Sequence, residues 1–184
     1  MTSTEPIVGA AADQAAAHDG ELNAVYQHWW LHDARWYQGV LKRFGPEAAN
    51  EINAEAVAFV GRRVAADYLR ANPAAATATP SAPELAERIG AVLALMGADR
   101  MSEVSQQVID GRTVETVVTK SFALKMLRAA RSLDGYDCPC LALRASWFEG
   151  LRVRVSDCRL ECQREGSEIC RFRAELLTET TDTP

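Results

Sequence analysis

The apolar residues of this 184-residue chain keep a helical period at first and then change to two-residue alternation, which restricts the fold to helices packed on a sheet. Leu22, Tyr26, Trp29, Asp33, Trp36 and Val40 fall on one helical stripe, and Trp30, Tyr37, Leu41 and Phe44 on the next, predicting a helix over 20–44. Gly45-Pro46 ends it, because Pro cannot continue the hydrogen-bond ladder and Gly suits a C-cap. Pro46 then opens a second helix to about Leu69, with Ile52, Ala56, Phe59, Val60, Val64 and Tyr68 on its apolar face. Residues 72–82 are rich in Pro and Ala and read as a linker, followed by a third helix over 83–96.

Beyond it the alternation begins. Residues 101–109 and 113–119 flank Asp110-Gly111, a dipeptide that favours a tight hairpin turn. A helix over 121–133 with Ser121 as N-cap comes next, then strands over 151–156, 159–163 and 170–176. The expected fold is α+β: a helical bundle packed on a four- to five-stranded, mainly antiparallel sheet. Residues 19–177 form one domain between flexible tails at 1–18 and 178–184.

All five cysteines lie between Cys138 and Cys170. Residues 1–20 hold Glu5, Asp13 and Asp19 but no Lys or Arg, unlike a signal peptide, and no stretch approaches the ~20 apolar residues of a membrane span. The expectation is a cytoplasmic protein with no membrane partner. In that compartment clustered thiols bind metal or react more often than they form disulfides. The net charge of -5 argues against a nucleic-acid partner, and no nucleotide-binding or nucleophile-elbow motif occurs.

The metal-ligand candidates are Cys138, Cys140, Cys158, Cys162 and Cys170, with Zn(II) the expected ion and iron taking the same thiolates. The spacing does not match a zinc ribbon. A natural set joins Cys138 or Cys140 to Cys162 and Cys170, completed by Cys158 or an acid such as Glu161. Gly166 permits a hairpin that sets Cys162 beside Cys170. Inert buried thiols and a redox pair at Cys138-Pro-Cys140 are the alternatives.

Residues 26–37 hold three of the four Trp and two of the three His. One reading is a packed core helix. The other is a pocket lined by His28, Trp29, Trp36 and Tyr37, with Trp147 added from the later chain and His32 and Asp33 as a proton-transfer pair. The Arg-rich run 144–154 reads as a solvated strand face rather than a carboxylate-binding site.

The run His32-Asp33-Ala-Arg-Trp36-Tyr37, with Arg43-Phe44-Gly45-Pro-Glu47-Ala48-Ala-Asn-Glu51-Ile-Asn53, resembles the aminothiazoline-carboxylate hydrolase-like bacterial family. Cys138, Trp147, Gly150, Glu161-Cys162, Gly166 and Cys170-Arg-Phe172 resemble the vinyl-reductase-type ligand-binding domain, which also serves as the sensing module of phenol-responsive regulators. That resemblance implies an α+β fold and a zinc held by cysteines and one acid beside a buried pocket for a small aromatic ligand. Cys162 and Cys170 match its final cysteine pair, Cys138 or Cys140 its earlier one, and Cys158 stands in for the acid.

Three functions follow as expectations. The first is a metal-containing enzyme hydrolysing or rearranging a small organic molecule, with His32 and Asp33 moving protons. The second is a sensor or carrier for a small aromatic or apolar ligand, its zinc structural. The third is a thiol redox protein. A homodimer is a further expectation for its partners.

Overall fold

The computed structural model describes residues 8–76 and 79–177. Residues 1–7 of the expected first tail, and all of the second, lie outside them; the rest of the first tail is helical from Val8.

The two expected N-terminal helices are the arms of one kinked helix, α1 (Val8–Ala71). The kink is Gly45, at φ 85 and ψ 175, a conformation that glycine adopts without a Cβ penalty. Pro46 has no N–H to donate across it. α2 (Ala82–Leu95) begins at a capping box in which the Ser81 backbone N–H donates to Glu84 Oε2 at 2.7 Å. A single turn, α3 (Ala98–Met101), leads into β1 (Glu103–Val108).

The β1–β2 turn lies where Asp110-Gly111 predicted it. Asp110 Oδ1 accepts from the N–H groups of Arg112 and Thr113, both at 2.8 Å, and so organises the entry to β2 (Thr113–Lys120). α4 (Phe122–Ala129) is capped by Ser121, whose hydroxyl accepts from Leu124 N–H at 3.4 Å. It ends earlier than expected, as the chain turns through Arg131 at φ 51.

The second half of the chain brings three corrections. Cys140–Gly150 is a helix, α5, that the alternation did not reveal. The strands expected at 151–156 and 159–163 are one strand, β3 (Val155–Glu161), because the chain first turns at Arg152 with φ 56 and then alternates without a break. Arg144 is no solvated strand residue. It lies on α5 with 2% of its surface exposed.

β4 (Cys170–Leu176) completes a four-stranded sheet of order β1-β2-β4-β3, antiparallel throughout. The register sets Val118 beside Cys170, Thr116 beside Phe172 and Val114 beside Ala174, on the face that the helices cover. One part of the core joins the second arm of α1, α2 and α5 through Leu69, Leu85, Ile89, Val92, Trp147 and Leu151. The other gathers Tyr37 and Val40 of the first arm with Leu124, Leu127, Tyr136, Phe172, Cys162 and Cys170, with Cys138 and Cys140 packed against them.

Candidate functional site

The thiols meet because two chain reversals end at the same place. The first is the β3–β4 connection. Its 3-10 turn, Gln163–Glu165, passes into Gly166 at φ 98, the left-handed conformation anticipated for a hairpin there. The Cys162 carbonyl accepts from Glu165 N–H at 2.9 Å and Ser167 N–H at 3.2 Å. Gln163 N–H points at Cys170 Sγ at 3.3 Å, so Cys162 and Cys170, both buried, are neighbours. The Gln163 amide donates to the carbonyls of Thr119 at 2.8 Å and Glu168 at 3.0 Å, which ties the turn to the end of β2.

The second reversal is the loop before α5. Asn50, on the second arm of α1, clamps it: its Nδ2 donates to Gly135 O at 2.6 Å and its Oδ1 accepts from Asp137 N–H at 3.0 Å. The same Oδ1 accepts the Tyr37 hydroxyl at 2.8 Å. The ring of Tyr37 stands edge-on to Tyr136, centroids 5.3 Å apart. Gly135, at φ 75, lets the loop pass beside Pro46, where an added Cβ would lie 3.1 Å from the proline ring. The kink of α1 thus delivers Cys138 and Cys140 to the sheet end that carries Cys162 and Cys170.

Each of these thiols feels the others. A hydrogen bond from Cys140, with Arg159 and Arg164 nearby, pulls the Cys138 thiol down to about 7. The same bond, burial and the neighbouring sulfurs of Cys138, Cys170 and Cys162 push Cys140 well up. Burial, with Cys162 and Cys138 adding to it, raises Cys170 to about 11. Burial pushes the Tyr136 phenol far up, so it stays neutral over the cluster. All five cysteines are free thiols. Cys158 stands apart, exposed on β3 opposite Arg173. Among the described residues, no group of three or more His, Cys, Asp or Glu is arranged so that it could hold a metal ion.

α5 connects the thiols to the rest of the interior. Cys140, Arg144, Trp147 and Leu151 recur at helical spacing on one face, and Trp147 lies about 10.5 Å along the axis from Cys140. Arg144 donates from Nη2 to Asp157 Oδ1 at 2.7 Å and from Nε to Oδ2 at 2.9 Å. Its Nη1 donates to Thr116 Oγ1 at 2.9 Å, and its guanidinium lies 5.0 Å from the Phe172 ring centroid. Trp147 is 4% exposed, and its indole Nε1 has no hydrogen-bond partner. A buried N–H is seldom left so. Arg144 was read in the sequence only as part of a solvated Arg-rich run, and Asn50 only as one position of the resembling motif. The stripe running from Cys140 to Leu151 was the available signal for Arg144, whereas nothing local marks Asn50.

The aromatic segment of α1 divides. Tyr37 is buried beside the thiols, whereas His28, Trp29, His32, Asp33 and Trp36 face outward. Trp29 stacks on His32 at 5.3 Å. Partial burial raises the Asp33 carboxyl against the opposing pull of His32. His32, Trp36, Gly39, Val40, Arg43 and Phe44 border an open groove of ≈ 490 Å³. Among the described residues, no helix is long and apolar enough to cross a membrane.

No family model matches the chain, and no curated protein does. Several solved structures match, two of which follow. The phenol-responsive sensory domain of the transcription activator PoxR, solved with phenol, superposes with a TM-score of 0.55 at 16% identity, over 81% of this chain and 75% of that one. Subunit 3 of a trafficking protein particle complex from Naegleria fowleri, covalently bound to palmitic acid, reaches 0.46 at 11% identity, over 89% of this chain and 97% of that one. The first likeness shows a shared α+β fold, the one implied by the phenol-sensor half of the resemblance. Neither structure is an aminothiazoline-carboxylate hydrolase.

Proposed function

We propose that this chain is a ligand-binding domain for a small aromatic or apolar molecule, acting as a sensor or carrier, with a soft metal ion tying its thiol corner together. The observation that carries the reading is the orphaned indole N–H of Trp147, buried where α5 packs against Gly61 of α1. A buried donor without a partner costs about 1–3 kcal/mol, and a ligand oxygen at that position would remove the cost. The fold of the PoxR domain, a structure solved with phenol, supports the same class of ligand. Phe148 and Leu151 belong to the same apolar core cluster as Trp147, with Leu143 packed against it.

The donor chemistry at the thiol corner suits zinc. Cys138, Cys140, Cys162 and Cys170 are soft ligands within one another's electrostatic reach, and Cys138 ionises readily. Their sulfurs do not already form a cage, so binding would turn the thiols about their single side-chain torsion. A four-thiolate zinc would be structural, linking the loop before α5 to the β3–β4 turn. Free thiols accord with a reducing, cytoplasmic setting. Hydrolysis through His32 and Asp33 has weaker support, because both are exposed and His32 borders an open groove rather than the interior.

Calorimetric titration with phenol and a series of simple aromatic alcohols tests the ligand reading. The expected result is saturable binding, with the compound released unaltered, abolished in Trp147→Phe and retained in Trp36→Phe. No binding across the series, or binding indifferent to Trp147→Phe, overturns it.

A further inference from the structure

The outward face of the first arm of α1 is more apolar than solvent tolerates. Val25, Trp29, Trp36 and Phe44 are 63%, 69%, 63% and 70% exposed. Val25, Trp29, His32 and Trp36 follow one another at i, i+4, i+7 and i+11, the spacing of a helix seam that packs against a second helix. The adjacent stripe of the same arm is already engaged. Trp30 meets Phe122 edge-on at 5.9 Å, and Tyr26 lies against Gly97. The seam is therefore not a displaced part of this chain's core. Trp29 and Trp36 alone carry about 300 Å² of accessible surface. That is over a third of what one partner contributes to a standard interface, and apolar patches of this size are often functional.

We propose that a second copy of this chain covers the seam, the two α1 arms packing antiparallel about a two-fold axis at His32. The order of charges along the arm argues for this occupant. Glu21 sits at the amino end and Lys42 and Arg43 at the carboxyl end, all exposed. Antiparallel pairing about residue 32 sets Glu21 of each copy opposite Arg43 of the other, and the opposed helix dipoles favour the same direction. In that register Val25 lies over Gly39, the Arg43 guanidinium leaves the Gly39 carbonyl, 3.2 Å away in the single chain, to meet Glu21, and Trp29 lies against Trp36 of the second copy. A parallel pair would set Arg43 against Arg43 and Glu21 against Glu21.

Sedimentation equilibrium on the full chain over a wide concentration range tests this. The expected result is a dimer that Trp36→Glu converts to monomer without changing far-ultraviolet circular dichroism. Glu21→Arg and Arg43→Glu should each weaken the dimer about tenfold, two rim pairs being reversed per dimer, and the double variant should recover it. A monomer at every concentration, or a dimer indifferent to Trp36→Glu, overturns the interface. A double variant no stronger than the single ones overturns the antiparallel register. The charge variants keep the proposal testable even where Trp36→Glu fails to fold.

Discussion

Removing Asp157 should unfold this protein more readily than any surface change, because it strands a charge inside the core. The Arg144 guanidinium is 2% exposed and Asp157 10%, and three of the four hydrogen bonds that Arg144 makes go to this carboxylate. In Asp157→Ala the guanidinium keeps only Thr116 Oγ1 and the faces of Phe148 and Phe172. Breaking a buried pair from one side costs about 3–5 kcal/mol. For a chain of this length each kcal/mol is about 2–4 °C in Tm, so about 4 kcal/mol lowers Tm by about 8–16 °C. Replacing both partners with apolar residues, Arg144→Met with Asp157→Leu, removes the stranded charge and should recover stability to within about 1 kcal/mol of the parent. Urea denaturation at neutral pH, with scanning calorimetry, measures both. A loss below about 1 kcal/mol in Asp157→Ala, or a double variant less stable than the single one, would refute the account of Arg144 as an internally neutralised core residue.

Asn50→Ala removes the clamp on Tyr37, Gly135 and Asp137 and should cost about 1–3 kcal/mol, read by the same denaturation. Gly150→Ala would put a Cβ 2.6 Å from Arg62 O and 2.7 Å from the Ala65 Cβ, and should cost about 1–3 kcal/mol. Gly90→Ala, with nothing within 4 Å, should instead stabilise α2 by about 0.5–1 kcal/mol. Hydrogen bonds from Arg173 and Arg171 hold the buried Glu115 carboxyl below its ordinary range. Its folded value is depressed, so its stabilisation is complete above the unfolded value of about 4.3 and is lost as pH falls through the lower folded value. Tm measured down through that window should fall less steeply in Glu115→Gln than in the parent.

Much of the fold was legible because its signals are local. Gly45-Pro46 marks the kink by backbone chemistry alone, Asp110-Gly111 the hairpin, and Ser121 the start of α4. The pairing of Cys162 with Cys170 was readable from Gly166 midway between them. α5 was hidden because its inward stripe contains an arginine, which reads as solvated until the carboxylate of Asp157 is seen opposite. The aromatic segment kept two readings for a related reason. Adjacent stripes on one helix are equally apolar, and only the partners of Tyr37 and Trp30 decide which stripes are inside. Asn50 acts across the fold on the loop at 135–137, a contact that no sequence spacing encodes.

The measurement that bears most directly on the thiol corner is elemental analysis of the untagged protein, purified without added metal, beside single Ser variants of all five cysteines. The account predicts about one zinc per chain, lost in Cys138→Ser, Cys162→Ser and Cys170→Ser, weakened in Cys140→Ser, and retained in Cys158→Ser. A parent protein without metal, or zinc lost on replacing the exposed Cys158 while the four clustered thiols prove dispensable, would contradict it.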